Sequence, residues 1–283
     1  MDGGGLRHPG DGDAPADLPV LREAFDGLPD AVWVFDGATL RHANPSARAL
    51  PELLAAPEVA ALRSRTEASG GPEATEVHLA VPGAWFEVTA HPGDRALTLH
   101  ARDVTEARRL ATRDRLRRSL PEPGPPRPGA GRQPATIRRT LEALVAFGLP
   151  FAEAWRGDEQ RPPHLVGCAH DGSEPMRWLA VATRGAHPDA DSVVGRCVLE
   201  GRPSRLDDLA TVDAFQRRDV AEACGLHAAV HLPVTPDDGA RLVVGVLHDG
   251  TPRQRELADA VEELWPQLHA LLDHATDTTV PPA

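Results

Sequence analysis

The residues best suited to chemistry form a histidine–cysteine cluster in the second half of the chain. His164, Cys168 and His170 lie in the segment HLVGCAH. Side chains two residues apart in a β-strand point to the same face, so this spacing predicts that all three share one face. Thiolate and imidazole are ligands of zinc, iron and haem. A metal or haem site is one interpretation, and a buried cysteine beside two histidines at the rim is the other.

A second pair of histidines repeats this spacing. His227 and His231 lie in HAAVH, and a strand there would place both on one face. If the two strands were neighbours, five ligand-type side chains could converge. No fourth ligand stands at a fixed spacing from the first cluster, and a chain with 13 histidines will contain coincidental pairs.

The three cysteines suggest a different chemistry. Cys168, Cys197 and Cys224 are too few and too scattered for a disulfide framework, which favours a reducing compartment, the cytoplasm. A thiolate nucleophile with a nearby resolving thiol could instead perform redox catalysis. The alternative is that they are ordinary buried cysteines, since cysteine is among the most buried residue types.

Composition limits the class of protein. The chain has 283 residues, a net charge of −12 and 41% apolar residues. The acidic balance disfavours nucleic acid as the main partner, because nucleic-acid binders gain affinity by neutralising phosphates. The sequence contains no apolar run of about 18 residues, so no membrane span is predicted. The N-terminus lacks the apolar core of a signal peptide. All 30 basic residues are arginine, a usage typical of a GC-rich genome.

A proline-rich segment divides the chain. Residues 120–134 read LPEPGPPRPGAGRQP and cannot form the interior of a helix or sheet. We therefore expect two domains. The predicted segments are a disordered tail at 1–17, a first domain with its exit helix at 18–118, a linker at 119–134, a second domain at 135–275 and a tail at 276–283.

The first half predicts an α+β domain with a five-stranded antiparallel sheet. Strands are predicted at 31–35, 40–43, 76–81, 85–91 and 96–101, with short proline-broken helices between the second and third. The phrases LREAFDGLPDAVWVFDGATLRHANPSARAL and LTLHARDVTEARR resemble those of a PAS domain. The proline-broken middle departs from that family and puts a roomy ligand pocket in doubt.

The second half also predicts an α+β domain. Strands are predicted at 151–156, 164–169, 177–182, 204–208, 227–234 and 242–248. A long closing helix carries apolar residues at 257–272, with Pro266 expected to kink it. The phrases SVVGRCVLEGRPSRLDDL, AEACGLHAAVHLPV and RLVVGVLHDG resemble a GAF domain. That resemblance implies a six-stranded antiparallel sheet, a pocket on one side, and first and last helices that form a homodimer interface.

The two resemblances imply where a ligand would bind. The first domain offers Trp33, Phe35 and Asn44, and it has no cysteine for the usual cysteinyl–flavin photochemistry. The GAF resemblance implies pocket residues in the second domain: Cys168, His170, Cys197, Cys224, His227 and His231. GAF domains also include bilin carriers and reductases of free methionine sulfoxide, but the surroundings of Cys197 and Cys224 match neither cysteine motif well. No cofactor is expected on this basis.

The sequence as a whole favours a sensor. It contains no phosphate-binding loop, kinase motif or cyclic-dinucleotide motif, so a signal would have to pass to a partner kinase or another signalling protein. The arginine-rich helix at 103–118 is either a solvated linker or a site for an acidic partner. Because that helix runs into the proline segment, we expect weak mechanical coupling between the domains. The alternatives to a sensor are a cysteine-dependent reductase and a ligand-free interaction scaffold.

Overall fold

The computed structural model describes residues 23–81, 83–94, 96–122, 132–234 and 240–273. The chain divides into two compact units, residues 1–107 and 108–283. The sequence placed this division at residue 118. It falls earlier because the arginine-rich helix from Arg108 onward packs with the second unit, where Leu116 is buried in the core. The predicted linker and both tails lie largely or wholly outside the described residues.

The first unit is built on a five-stranded antiparallel sheet, as the sequence predicts. Its strands follow the order β2-β1-β5-β4-β3. They are β1 (Ala31–Asp36), β2 (Thr39–Ala43), β3 (Glu73–Leu79), β4 (Ala84–Pro92) and β5 (Leu97–Asp103). Alternate residues of β4 are buried, which is the pattern of a sheet with one face packed on a core.

Short helices cover that sheet. They are α1 (Pro45–Arg48), α2 (Pro51–Ala55) and α3 (Pro57–Ser69). Each begins with proline at its first turn, a position where the missing N–H costs nothing. The prolines therefore start these helices, which explains why the segment is divided into three. After β5, the longer α4 (Thr105–Ser119) carries the chain into the second unit.

The second unit contains a second antiparallel sheet with the order β7-β6-β10-β9-β8. Its strands are β6 (Phe151–Gly157), β7 (His164–His170), β8 (Ser204–Leu206), β9 (Ala228–Val234) and β10 (Arg241–His248). Its helices are α5 (Arg132–Ala146), α6 (Glu174–Arg184), α7 (Val193–Glu200), α8 (Arg218–Ala223), α9 (Pro252–Glu263) and α10 (Trp265–Asp273). The α+β class with two sheets is confirmed.

One predicted strand of this unit is wrong. The described sheet has five strands rather than six, because the strand predicted at residues 177–182 is part of helix α6. The buried residues Met176, Leu179, Ala180 and Thr183 follow a helical period, which a short apolar run does not distinguish from a strand.

The closing helix is interrupted, as Pro266 predicts. It is divided at Leu264 into α9 and α10, and Pro266 lies in the first turn of α10. Leu257, Val261, Leu268 and Leu272 from the two pieces join one core cluster with α5 and with one face of the second sheet. We call this the α5 face. The opposite face packs against α6, α7 and residues 209–226, and we call it the α6 face.

Candidate functional site

The α6 face holds charged residues where an apolar core would be expected. Along β6, Phe151 and Trp155 join the apolar clusters of the α6 face, whereas Ala152 and Ala154 belong to the α5 face. Glu153 alternates with the two alanines and so lies on the α6 face, where it is completely buried. A fully buried carboxylate requires charged or hydrogen-bonding partners.

Arg217 provides those partners. Its Nη1 donates to Glu153 Oε2 and its Nη2 donates to Oε1, both at 2.6 Å, so the two side chains form a bidentate pair. The Arg217 Nη1 also donates to Thr183 Oγ1 at 2.6 Å. The guanidinium carbon lies 5.3 Å from the ring centres of both Trp155 and Phe215. The cation is thus held between two aromatic rings and a carboxylate.

The charge on Glu153 is stable despite its burial. Burial by itself raises the pKa of this carboxyl, but the positive charge of Arg217 and the neighbouring His231 lower it more strongly, to about 2. Glu153 is therefore ionised at neutral pH and the pair is a true ion pair.

His231 completes the cluster. It is completely buried on β9, and its Nε2 lies 3.5 Å from Glu153 Oε1. Neither ring nitrogen of His231 has a hydrogen-bond partner among the described residues, and the same holds for Trp155 Nε1. Buried ring nitrogens without a protein partner beside an ion pair are uncommon in folded proteins, and they make this cluster a candidate site for a polar ligand.

A glycine makes room for these side chains. Gly245 on β10 pairs with Glu153 on one side and His231 on the other. A Cβ atom at Gly245 would lie 2.8 Å from His231 Cδ2 and 3.1 Å from Glu153 Cγ. The absence of a side chain at this position allows the carboxylate and the imidazole to approach each other across the central strand.

The structure does not bring the predicted metal-ligand histidines together. A β-bulge between Ala154 and Trp155 in the β6–β7 pairing leaves Val166 unpaired, so His164 lies on the opposite face from Cys168 and His170. Strands β7 and β9 are separated by β6 and β10, so the two histidine pairs do not converge. No group of three or more potential metal ligands occurs among the described residues.

The other predicted ligands of the α6 face have local roles. Cys168 lies opposite Glu153 in the strand pairing and is half-buried. The Nδ1 of His170 accepts a hydrogen bond from the Gly172 amide at 3.1 Å, and His227 is exposed just before β9. Of the histidines singled out from the sequence, only His231 lies in the polar cluster.

The three thiols are poorly activated. Burial raises the pKa of Cys197 to about 12 and also raises the pKa of Cys168 and Cys224. Cys224 lines an open cleft of about 400 Å³, and its Sγ donates to the Pro175 carbonyl at 3.2 Å. Few thiolates would form at neutral pH, which disfavours nucleophilic chemistry.

The residues singled out in the first unit are buried. Trp33 and Phe35 are buried in the core of the first sheet. Asn44 is fully buried and its Oδ1 accepts from the Val32 and Ala47 amides at 3.1 and 2.9 Å, so it caps α1. Its Nδ2 donates to the Asp30 carbonyl at 2.8 Å. These backbone contacts explain the presence of asparagine without any ligand.

Sequence analysis missed Glu153, Arg217 and Thr183. Glu153 could have been recognised from the sequence. It is the one carboxylate in the apolar strand FAEAW, and a buried carboxylate must have a buried partner. Arg217 lies in an irregular segment 64 residues away and is one of 30 basic residues, so its sequence context does not distinguish it.

Comparisons with known proteins agree with this architecture in part. The family model of a PAS domain matches residues 20–50, which confirms the PAS resemblance over that segment. No curated protein matched the chain by sequence. No described helix has the length and apolar character to cross a membrane.

The structure comparison matched solved GAF domains at low identity and low TM-score. The GAF domain of a phosphoenolpyruvate-protein phosphotransferase from Coxiella burnetii is 14% identical, covers 60% of this chain and 95% of its own, and gives a TM-score of 0.41. The corresponding domain from Acinetobacter is 13% identical, covers 59% and 94%, and gives 0.39. The A. aeolicus nlh2 GAF domain in an inactive state is 10% identical, covers 60% and 96%, and gives 0.38. No residue role follows from likenesses this distant.

Proposed function

We propose that this chain is a cytoplasmic bacterial signal-sensing protein whose second unit responds to a small polar molecule at the α6 face. The observation that carries the proposal is the buried cluster of Glu153, Arg217 and His231 with its unsatisfied ring nitrogens. A buried ion pair adds little stability compared with well-packed apolar residues. Perturbed, buried ionisable groups of this kind are candidates for a functional site.

The chemistry of the cluster indicates which kind of ligand would bind. The rings of Trp155 and Phe215 hold the guanidinium of Arg217, and its planar fork of donors fits a carboxylate or another planar oxyanion. The carboxylate of Glu153 holds that position in the present structure. A ligand with its own anionic group would compete with Glu153 and would also satisfy His231. The exchange would alter the packing of β6 against α6 and thereby change the state of the domain.

Native mass spectrometry of the purified full chain tests this proposal. We expect extra mass that is lost on denaturation, and we expect the same preparation of the double variant Glu153→Met/Arg217→Met, which removes the ion pair without leaving a buried charge, to lack it. Arg218→Met is the matched control, because Arg218 is the next residue but pairs with solvent-exposed Asp213. Extra mass in none of the three proteins would contradict ligand sensing at the α6 face.

A ligand-free interaction scaffold is the second candidate. Its support is that Arg217 and Glu153 satisfy each other, while Trp33 and Phe35 fill the first core with side chains. A homodimer through α5, α9 and α10, or a complex with a partner kinase, would then carry the signal. A dimer mass with nothing added would favour this candidate.

The cysteine-dependent reductase receives less support, because the pKa of every cysteine thiol is raised. The reductase would be favoured again if the purified protein reduced free methionine sulfoxide and if Cys197→Ser or Cys224→Ser abolished that activity.

A further inference from the structure

Helix α4 carries a positive charge that the sensing proposal does not use. It contains six arginines against two acidic residues. Helix α9 in the same unit contains four acidic residues against two arginines. The acidic partner that the sequence analysis considered for the arginine-rich helix is thus present within the chain itself.

The contact between α4 and α9 centres on one carboxylate. Arg108 donates to Glu256 Oε2 from Nε at 3.3 Å and from Nη2 at 3.1 Å, and Thr112 Oγ1 donates to Oε1 at 2.5 Å. A second ion pair joins the same two helices: Arg109 Nη1 lies 3.3 Å from Oε1 of Glu263, the last residue of α9. Glu256 is only 12% exposed, so these contacts are better shielded from solvent than ordinary surface ion pairs.

The apolar part of the contact is narrow. Thr112 and Leu116, one helical turn apart, are the buried residues of α4. Leu116 is completely buried and joins the core cluster formed by α5, α9 and α10, and Arg115 covers the Phe147 ring at 5.0 Å. The rest of α4 is exposed or half-buried. One stripe of side chains therefore holds a 15-residue helix to the unit.

We propose that α4 is an exchangeable latch, which binds the α9 surface of its own chain or the same surface of a second copy. When α4 leaves, it uncovers an acidic and apolar surface whose shape and charges match Arg108, Thr112 and Leu116. The partner that best fits the vacated surface is α4 of another copy, because it makes identical contacts. Exchange of one identical element between copies is a low-cost route to a dimer. This goes beyond the proposed function by assigning the helix and the residues that join two copies.

Complementary charge reversal in the full chain tests the latch. Arg108→Glu and Glu256→Arg each place like charges at the contact, so each variant alone loses it both within and between copies. Mixing the two variants allows α4 of each chain to meet an opposite charge on the other chain. We expect sedimentation velocity to show a heterodimer in the mixture, with an apparent Kd at least tenfold below that of either variant alone.

Two controls define the outcome. The double variant Arg108→Glu/Glu256→Arg restores an opposite pair within one chain and should sediment as the unchanged protein does. The exposed pair Arg138 and Glu142 on α5, reversed singly and mixed in the same way, should give no heterodimer. If Arg108→Glu or Glu256→Arg fails to fold, the more exposed pair Arg109 and Glu263 provides the same test.

Failure of the latch is distinguishable from failure of the proposed function. Monomers in every mixture would overturn the exchange. A dimer of equal strength in the unchanged protein, both single variants and the mixture would also overturn it, while leaving a dimer through other helices intact.

Discussion

Glu153 shows how strongly one buried carboxylate depends on its neighbours. Its burial would favour the neutral acid, yet the bidentate contact with Arg217 keeps it ionised. The pair therefore stabilises the fold only as long as both members are present. Losing one leaves a buried charge with no partner, which is far more costly than losing both.

This asymmetry gives a prediction for Arg217→Met. The variant leaves Glu153 unpaired in an apolar core, so we expect the free energy of unfolding to fall by about 3–5 kcal/mol. The double variant Glu153→Met/Arg217→Met should recover most of that loss. Urea denaturation measures both, and a double variant no more stable than the single one would contradict the argument. Asp213→Ala, which breaks only an exposed pair with Arg218, should leave stability nearly unchanged.

His248 predicts a pH dependence of stability. Burial lowers its pKa from 6.5 to about 4, and its Nδ1 accepts from the Gly250 amide at 3.2 Å, which requires an unprotonated nitrogen. The unfolded chain takes up this proton near pH 6.5 and the folded chain only near pH 4. Stability should therefore fall as the pH drops from 6.5 to 4, by at most about 3 kcal/mol.

The substitution His248→Asn isolates that effect. Asparagine keeps an acceptor near the position of Nδ1 but does not titrate, so urea midpoints should become flatter between pH 6.5 and 4. The contribution of Glu153 lies elsewhere, because it is present above about pH 4.5 and is lost as the pH falls towards 2. An unchanged slope between pH 6.5 and 4 in the variant would refute the assignment to His248.

At the scale of elements, helix α7 illustrates how tightly a segment can be fixed. Ser192 Oγ accepts from the Gly195 amide at 3.0 Å and caps the helix. A Cβ atom at Gly195 would lie 1.9 Å from the Asp189 carbonyl oxygen, which is backbone and cannot move aside cheaply. The loop at 189–192 therefore packs directly against the glycine.

We expect Gly195→Ala to destabilise the protein by about 3 kcal/mol or more, as overpacking does. Helix propensity alone would predict the opposite, because alanine favours a helix over glycine by about 1 kcal/mol. Gly71→Ala is the control, since Gly71 faces open space. Thermal denaturation of the two variants would distinguish overpacking from helix propensity. A Gly195→Ala protein with a raised melting temperature would show that the loop at 189–192 moves to accept the methyl group.

Particular elements show where sequence-based prediction succeeded and failed. All five strands of the first sheet were predicted because Gly, Pro and Asn mark their turns. The interruption of the closing helix followed from Pro266. Helix α6 was mistaken for a strand because its exposed face carries Trp178 and Val181, so the apolar run hid the helical period. The predicted sheet face of His164 was wrong because Val166 is unpaired at a β-bulge. No residue type in this segment indicates that bulge.

The candidate site was less predictable than the fold. His231 was singled out by its residue type, whereas its partners come from a distant strand and an irregular segment. Their meeting depends on the strand order β6-β10-β9 and on the space left by Gly245. Spacing along one chain segment carries no information about such a tertiary contact.

At the scale of the whole molecule, the main finding is that α4 belongs largely to the second unit. Leu116 is buried in the core of that unit, and Glu256 and Glu263 hold the helix from one side. The core of the second unit therefore includes a segment that precedes the proline-rich stretch. A boundary drawn at the prolines would remove it.

Two fragments measure this dependence. A fragment of residues 104–283 keeps α4, whereas a fragment of 132–283 loses it and uncovers the site of Leu116. We expect the shorter fragment to be less stable by about 2–3 kcal/mol, which is the scale of one fully buried leucine. Urea denaturation provides the comparison. Equal stabilities would mean that α4 contributes nothing to the second unit.

The edges of the second sheet have a consequence for its behaviour in concentrated solution. One edge, β8, has three residues, and the other, β7, carries the bulge at Val166. Neither offers a long, flat row of unpaired backbone groups to another chain. If α4 exchanges as proposed, the two edges of this sheet therefore remain poor templates for strand addition. Exchange of a helix between copies would then join two molecules without the strand-by-strand growth that leads to fibrils.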